Sequence, residues 1–381
     1  MAWFARATLT LVMLAILGLF ATSATQAQQQ HTPSVRPPAG VSQDAGTLPG
    51  GQASGGVPQY DSEMWRRIRQ TERGTVALQD PNAAILVDSS GETWRLIRKN
   101  EYMTWGAYGL AGVVALLVVF YLIRGRIKIS SGLAGTTIQR FTDVERATHW
   151  LLAISFIFLA LSGLNLIYGR YVLLPLMGKE AFASLTLTMK YLHNYVGFAF
   201  MVGVILTLLI WVRHNVPSRH DAVWLAQGGG LLTDAHPPAR KFNAGQKILF
   251  WLVVFSGFSL SLSGLALLFP HELPLFAKTF EALNIVAVPL GMPLPTDLTA
   301  NQEQQLATLW HGILAIVMSM VVIAHIYIGS IGMQGAFSAM GSGQVDLNWA
   351  KEHHSLWVEE VLENERSEVA RAAGGRMQPA E

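Results

Sequence analysis

The chain contains no cysteine. That absence excludes disulfides, thiolate metal centres, iron-sulfur clusters held by this chain and covalent haem attachment through C-x-x-C-H. Any metal bound here must rely on histidine, methionine or oxygen ligands. Charge is scarce as well: Asp, Glu, Lys and Arg make up 14% of the 381 residues, and the formal net charge is only +2. The basic residues are dispersed among loops, so nucleic acid is set aside as a partner. Acidic residues are missing from every long apolar run, which removes the carboxylates that an intramembrane proton relay wants. What is abundant is hydrocarbon. With 51% hydrophobic residues and a mean hydropathy of +0.33, the chain is too apolar for an ordinary soluble protein and reads as a membrane protein with a polar appendage.

Residues 1–27 place Arg6 before an apolar run at 9–20 and end in Thr25-Gln26-Ala27. This is the pattern of a secretory signal peptide with an A-x-A-like cleavage site; an uncleaved anchor is the alternative. Residues 28–60 are rich in Gln, Pro, Gly and Ser without apolar periodicity, and are expected to form a disordered linker. Residues 61–101 form a small periplasmic segment, too short for an independent core, in which SEMWRRIRQTERG reads as helix and AAILVDSSGETWRLIRKNE as a hairpin turning at Ser89-Ser90-Gly91.

Five membrane spans follow, at 102–123, 148–167, 193–212, 248–269 and 309–333. The fold class is therefore all-α, an integral membrane helical bundle. The loops after the first and third spans carry five basic residues each, against three and one in the opposite loops. By the positive-inside rule the former are cytoplasmic, which puts the mature N terminus in the periplasm and the 336–381 tail in the cytoplasm of a multi-pass protein of the bacterial inner membrane.

The last span carries His311 and His325, 14 residues apart. At 100° and 1.5 Å per residue they lie within about 40° of one face and roughly 21 Å apart along the axis. A buried imidazole in hydrocarbon needs a partner, whether a neighbouring helix or a functional ligand. His149 opens the second span and His193 the third. Sorted by depth, the four make two pairs, His193 with His311 outside and His149 with His325 inside. Two neutral imidazoles facing each other across a bundle suit the axial positions of a six-coordinate haem iron. Zinc or copper would want three or four ligands at one depth. Gly197, Gly257 and Gly264 offer either room for a porphyrin or close helix packing, and Arg140 and Arg146 serve either as propionate partners or as topology signals. Ahead of the fourth span, Asn243 and Gly245 within ARKFNAGQK suit either a quinone carbonyl or an N-cap. His214, His220, His236, His271, His353 and His354 read mostly as solvated loop or tail residues.

The stretches QRFTDVERATHWLLAISF, YLHNYVGF, KFNAGQKILFW and LWHGILAIVMSMVVIAHIYIGSIGMQGAF together resemble the cytochrome b (gamma) subunit of membrane-bound respiratory formate dehydrogenase, over roughly residues 139–360. The resemblance implies a four-helix dihaem core at 139–335, with 102–123 as an extra N-terminal helix. It implies two haem b groups, held by His193 and His311 outside and by His149 and His325 inside, and a quinone contact at Asn243 and Gly245. The implied partners are an iron-sulfur (beta) subunit, a molybdenum-dependent catalytic (alpha) subunit, quinone and membrane lipid. Electrons would pass from the periplasmic partner to quinone, and this chain would not act on formate by itself. The haem b subunits of nickel-iron hydrogenases and of other molybdenum oxidoreductases share the bundle and histidines and are the nearest alternative. A haem-free anchor or transporter is the alternative from another class.

Overall fold

The computed structural model describes residues 72–73, 85–87, 89–230, 233 and 235–374. The expected signal peptide, the linker and most of the 61–101 segment lie outside the described residues. Of the helix expected at 62–74, only Glu72 and Arg73 are described, and they are strand: β1 (Glu72–Arg73) pairs antiparallel with β2 (Ile85–Val87). The hairpin expected to turn at Ser89-Ser90-Gly91 is also corrected. Those residues open helix α1 (Ser89–Leu96), which runs through a wider turn at Ile97–Tyr102 into α2 (Met103–Arg124). A Glu92 carboxylate in the first turn, bonded to Arg95 at 2.7 Å one turn on, supports helix at this point.

Among the described residues, five helices are long and apolar enough to cross a membrane. They end in or contain α2, α3 (Asp143–Val172), α4 (Lys179–Trp211), α6 (Ala244–Leu268) and α8 (Ala300–Tyr327), with the short α5 (Arg219–Ala226) and α7 (Leu275–Ala287) in the connections. Several begin earlier than the hydropathy suggests, because polar caps start them in water. Thr142 and Glu145 form a capping box on α3, with Glu145 N donating to Thr142 Oγ1 at 3.3 Å and Thr142 N to Glu145 Oε2 at 2.9 Å. Asn243 and Gln246 do the same for α6, at 2.9 and 3.1 Å. Large apolar side chains such as Leu116, Ile154, Leu209 and Phe255 stand exposed on these helices, as a lipid-facing surface requires.

The chain divides into two compact units. In the unit made of Met1–Trp105 and Pro270–Leu309, the buried Glu303 carboxylate accepts from the backbone N–H of Phe276 and Ala277 at the start of α7, at 2.9 and 2.6 Å. A carboxylate there satisfies orphan donors at a positive dipole end. The other unit, Gly106–Phe269 with Trp310–Glu381, contains all four span histidines. Within it α3 packs along α4 and α4 along α6, while the extra helix α2 lies against α8: a Cβ on Gly106 would come within 2.6 Å of Ile316 Cδ1, and one on Gly109 within 2.9 Å of Met320 Sδ.

The end of the bundle bearing Arg140 is closed by residues expected to be tail. β4 (Gln344–Asp346) pairs antiparallel with β3 (Thr137–Gln139), Ile138 opposite Val345. The turn into this ladder needs glycine, since Gly343 has φ +81° and a Cβ there would meet Phe141 O at 2.6 Å. Helices α9 (Leu347–His353) and α10 (Ser355–Gly374) then bring Trp349, Ala350, Trp357 and Val358 into one core with Phe141, Trp211, Phe242 and Phe250. His354 is correspondingly not a solvated tail residue: it is 1% exposed, and its Nδ1–H donates to Arg240 O at 2.8 Å. Burial, with the Arg140 charge nearby, holds its pKa well below the usual histidine range, and burial pushes His353 down to about 4 against the opposing pull of Glu352.

These two histidines give a pH dependence whose sign is definite. Folded, they stay neutral while the unfolded chain binds protons below about pH 6.5, so the unfolded state holds more protons and stability falls as pH falls. The loss should begin near pH 6.5 and continue to about pH 4 for His353, at up to about 1.4 kcal/mol per pH unit for each histidine. Thermal unfolding in detergent at pH 7.5 and 5.5 checks this; equal midpoints would contradict it.

Candidate functional site

The structure brings the four span histidines together as two pairs. His149 on α3 faces His325 on α8 with ring centroids 6.3 Å apart, and His193 on α4 faces His311 on α8, also at 6.3 Å, with both ring pairs inclined at 63°. An edge-to-face contact falls in that range. So does an imidazole–metal–imidazole bridge: about 2.0–2.1 Å from metal to each ring nitrogen, plus about 1.1 Å from nitrogen to centroid, spans about 6.3 Å. Both pairs share one distance and one inclination, as two equivalent sites would.

Hydrogen bonds choose the tautomer in the His193–His311 pair. Ser162 Oγ lies 2.8 Å from Phe158 O and 2.8 Å from His193 Nδ1. A hydroxyl has one proton and a carbonyl has none, so Ser162 donates to the carbonyl and accepts from Nδ1–H. Ser263 repeats the arrangement: 2.9 Å to Ser259 O, and 2.9 Å from His311 Nδ1. Both imidazoles are thereby held with Nδ1 protonated and the lone pair on Nε2, the form that binds a metal. Both serines are fully buried.

Room beside the rings comes from glycine. A Cβ on Gly163 would sit 3.7 Å from His193 Cε1, and one on Gly264 3.5 Å from His311 Cε1. Nothing lies within 4 Å of such an atom on Gly197, whereas Gly257 is a packing glycine, its place taken up by Val204 at 2.7 Å. The donor set also argues against a metal held by protein alone. Among the described residues no group of three or more His, Cys, Asp or Glu side chains could hold one. Two imidazoles per level, with glycines beside His193 and His311, fit a macrocycle that would supply the remaining ligands.

The remaining candidates from sequence are placed differently. Arg140 is buried among the rings of Phe141, Trp349 and Trp357, with Nη2 donating to Lys241 O at 2.7 Å. Arg146 is tied to Asp143 at 2.9 Å and to the carbonyls of Met340 and Gly341. Asn243 spends its side chain on the N-cap of α6, and Gly245 lies against Trp224 of α5, whose Cη2 would be 2.9 Å from a Cβ there. Next to them, Ala244, Lys247, Ile248 and Trp251 line an apolar groove of about 400 Å³. At its wall Lys247 Nζ meets Asp221 at 2.9 Å; burial raises the Asp221 pKa, but the bonds from Lys247 and Ser218 outweigh it and hold the carboxyl below its usual range.

Sequence reasoning missed Ser162 and Ser263. A signal for them exists, since each precedes a glycine that faces the same histidine, but Ser256-Gly257 shares the pattern and packs on Val204 instead.

Comparison with known proteins points to a cytochrome family. The family model described as prokaryotic cytochrome b561 matches residues 140–343, which include all four histidines. The chain is 27% identical over 227 residues to the formate dehydrogenase cytochrome b556(fdo) subunit of Escherichia coli, an alignment covering 59% of this chain and 93% of that protein. Against the nitrate-inducible formate dehydrogenase cytochrome b556(Fdn) subunit of the same organism the identity is again 27%, over 59% of this chain and 91% of the relative. The formate dehydrogenase cytochrome b556 subunit of Haemophilus influenzae is 25% identical over 258 residues, 66% of this chain and 94% of its own length.

Proposed function

Because the chain belongs to the prokaryotic cytochrome b561 family, we propose that it is the membrane cytochrome b subunit of a formate dehydrogenase, carrying electrons from an iron-sulfur partner through two b haems to quinone. The relatives named above support the formate assignment, and the observation that carries the rest is the pair of histidine pairs, alike in spacing and inclination, on three helices. The orientation adopted is that of the charge bias, with His193 and His311 on the periplasmic side, His149 and His325 on the cytoplasmic side, and the protein in the inner membrane. When bound, the haems supply one-electron transfer between the two depths. The chain's own part is to hold His193 and His311 in the ligating tautomer through Ser162 and Ser263, to set His149 opposite His325, and to offer a quinone site near Asn243 and Gly245. Formate oxidation belongs to a molybdenum-dependent catalytic subunit.

Purification of the complex tests this reading. Expected are two low-spin b-type haems per chain, together with an iron-sulfur subunit and a molybdenum subunit. A nickel-iron partner would overturn the formate assignment, and reduced-minus-oxidised spectra without b-type bands would overturn the haem reading itself.

The quinone site has its own test. In Asn243→Ser the new hydroxyl is as good an N-cap as the amide, so α6 should start as before. Losing an amide hydrogen bond to the quinone should lower quinone reduction about tenfold. Unchanged quinone kinetics beside unchanged haem spectra would remove Asn243 from the site.

A further inference from the structure

Among the buried polar atoms that have no hydrogen-bond partner are His149 Nδ1 on α3 and Thr207 Oγ1 on α4. Thr207 is 3% exposed, so water does not readily serve it. A buried donor and a buried acceptor left apart each forfeit the hydrogen bond that water would have made, which makes their pairing the lower-energy arrangement if the helices place them level.

The antiparallel register of α3 and α4 does so. A Cβ on Gly203 would sit 3.1 Å from Leu152 Cα, which fixes one level at which the two helices touch. Ten residues onward along α3 and ten back along α4 stand Ser162 and His193, already bonded at 2.8 Å, so the register holds over about 15 Å of rise. In the other direction, three residues back along α3 is His149 and four onward along α4 is Thr207. Steps of three and four keep to one helix face, and the two rises, about 4.5 and about 6 Å, leave the residues nearly level. Thr207 is also 14 residues beyond His193, the same spacing as between His311 and His325. The interface thus repeats with its roles exchanged: hydroxyl on α3 and imidazole on α4 at one level, imidazole on α3 and hydroxyl on α4 at the other.

We infer that Thr207 is a positioning residue for His149, its hydroxyl accepting Nδ1–H and so holding the Nε2 lone pair toward His325. A threonine within a helix can pass its own proton to the carbonyl of the preceding turn, as Ser162 does, which leaves the oxygen free to accept. Acceptance from Nδ1–H makes the imidazole more basic and favours ferric over ferrous iron. The inference rests on the dihaem reading, and it adds a residue that sets the properties of one haem only.

The test is potentiometric titration of the purified complex, following the two b-haem components by their spectra. Thr207→Val keeps the shape and removes the acceptor. It should raise the midpoint of one component by the equivalent of a tenfold loss of ferric preference, about 59 mV for a one-electron couple. Thr207→Ser should restore the wild-type value. Ser263→Ala should move the other component and leave the first in place, which identifies the two without prior assignment. Should the valine variant fail to assemble, Thr207→Cys, with its poor acceptor sulfur, carries the same two outcomes. If Thr207→Val moves neither component, or moves the one that Ser263→Ala moves, or if serine behaves like valine, the assignment is wrong while the dihaem reading stands. A wild-type complex without two low-spin haems would overturn that reading, and the role of Thr207 with it.

Discussion

On the proposed dihaem reading, His311→Ala should halve the haem content of the protein, from two b haems per chain to one. His311 lies 6.3 Å from His193, and its Nδ1 is anchored by Ser263 on the neighbouring helix, so neither the ring nor its orientation can be replaced by a nearby side chain. Among the described residues no third imidazole or carboxylate joins it in a metal-binding group. The His149–His325 pair is served by the other end of the same helix, about 21 Å away by helical rise, and should keep its haem. Haem-to-protein ratio and low-temperature spectra of the variant check this. His236→Ala, altering a histidine outside the spans, should leave both haems in place. Two low-spin haems with unchanged spectra in His311→Ala would show that the pairing is structural.

The second large effect is on stability. Trp349→Ala should destabilise the folded chain by about 3–5 kcal/mol, the usual cost of emptying a buried tryptophan site. Trp349 is 3% exposed, sits over the Arg140 guanidinium, and packs in the cluster that joins α9 to the loops around Phe141 and Phe242. Its loss leaves both a cavity and an arginine stripped of one of three aromatic neighbours, in a place with little water to replace them. Val369→Ala on α10, where the side chain is 70% exposed, should change stability by less than about 0.5 kcal/mol. Thermal unfolding in a single detergent compares the two; equal midpoints would mean that the C-terminal helices do not contribute to the core.

Much of the fold was legible because hydrocarbon imposes one requirement at a time. A run of some twenty apolar residues must be helical to satisfy its backbone, so all five spans can be read without tertiary information. The helices extend ahead of those spans wherever capping chemistry starts them earlier. Thr142 and Glu145 start α3 five residues before the apolar run, and Asn243 with Gln246 starts α6 four residues before it. The 336–381 segment reads as a polar tail because its apolar residues, Val345, Trp349, Trp357 and Val358, are sparse and irregular. They become a core only when matched with Phe141, Trp211 and Phe242 from distant loops, a complementarity that no local pattern displays. Ser89-Ser90-Gly91 has the composition of a turn, yet helix propagating back from α2 through α1 outweighs that local preference.

Sequence by itself determined that this is a multi-helix membrane protein with two levels of intramembrane histidine. Span length, helix direction and the 14-residue spacing are properties of the chain taken one helix at a time. The approach of each pair of rings to 6.3 Å, and the hydroxyls that aim them, were decided only by tertiary structure. Whether Ser162 meets His193, and whether Thr207 stands level with His149, depends on the sliding register of α3 against α4, which is set where Gly203 lets Leu152 come close. Contacts between antiparallel helices join residues dozens of positions apart, and a shift of one residue in that register would leave the same sequence with the same histidines pointing past their partners.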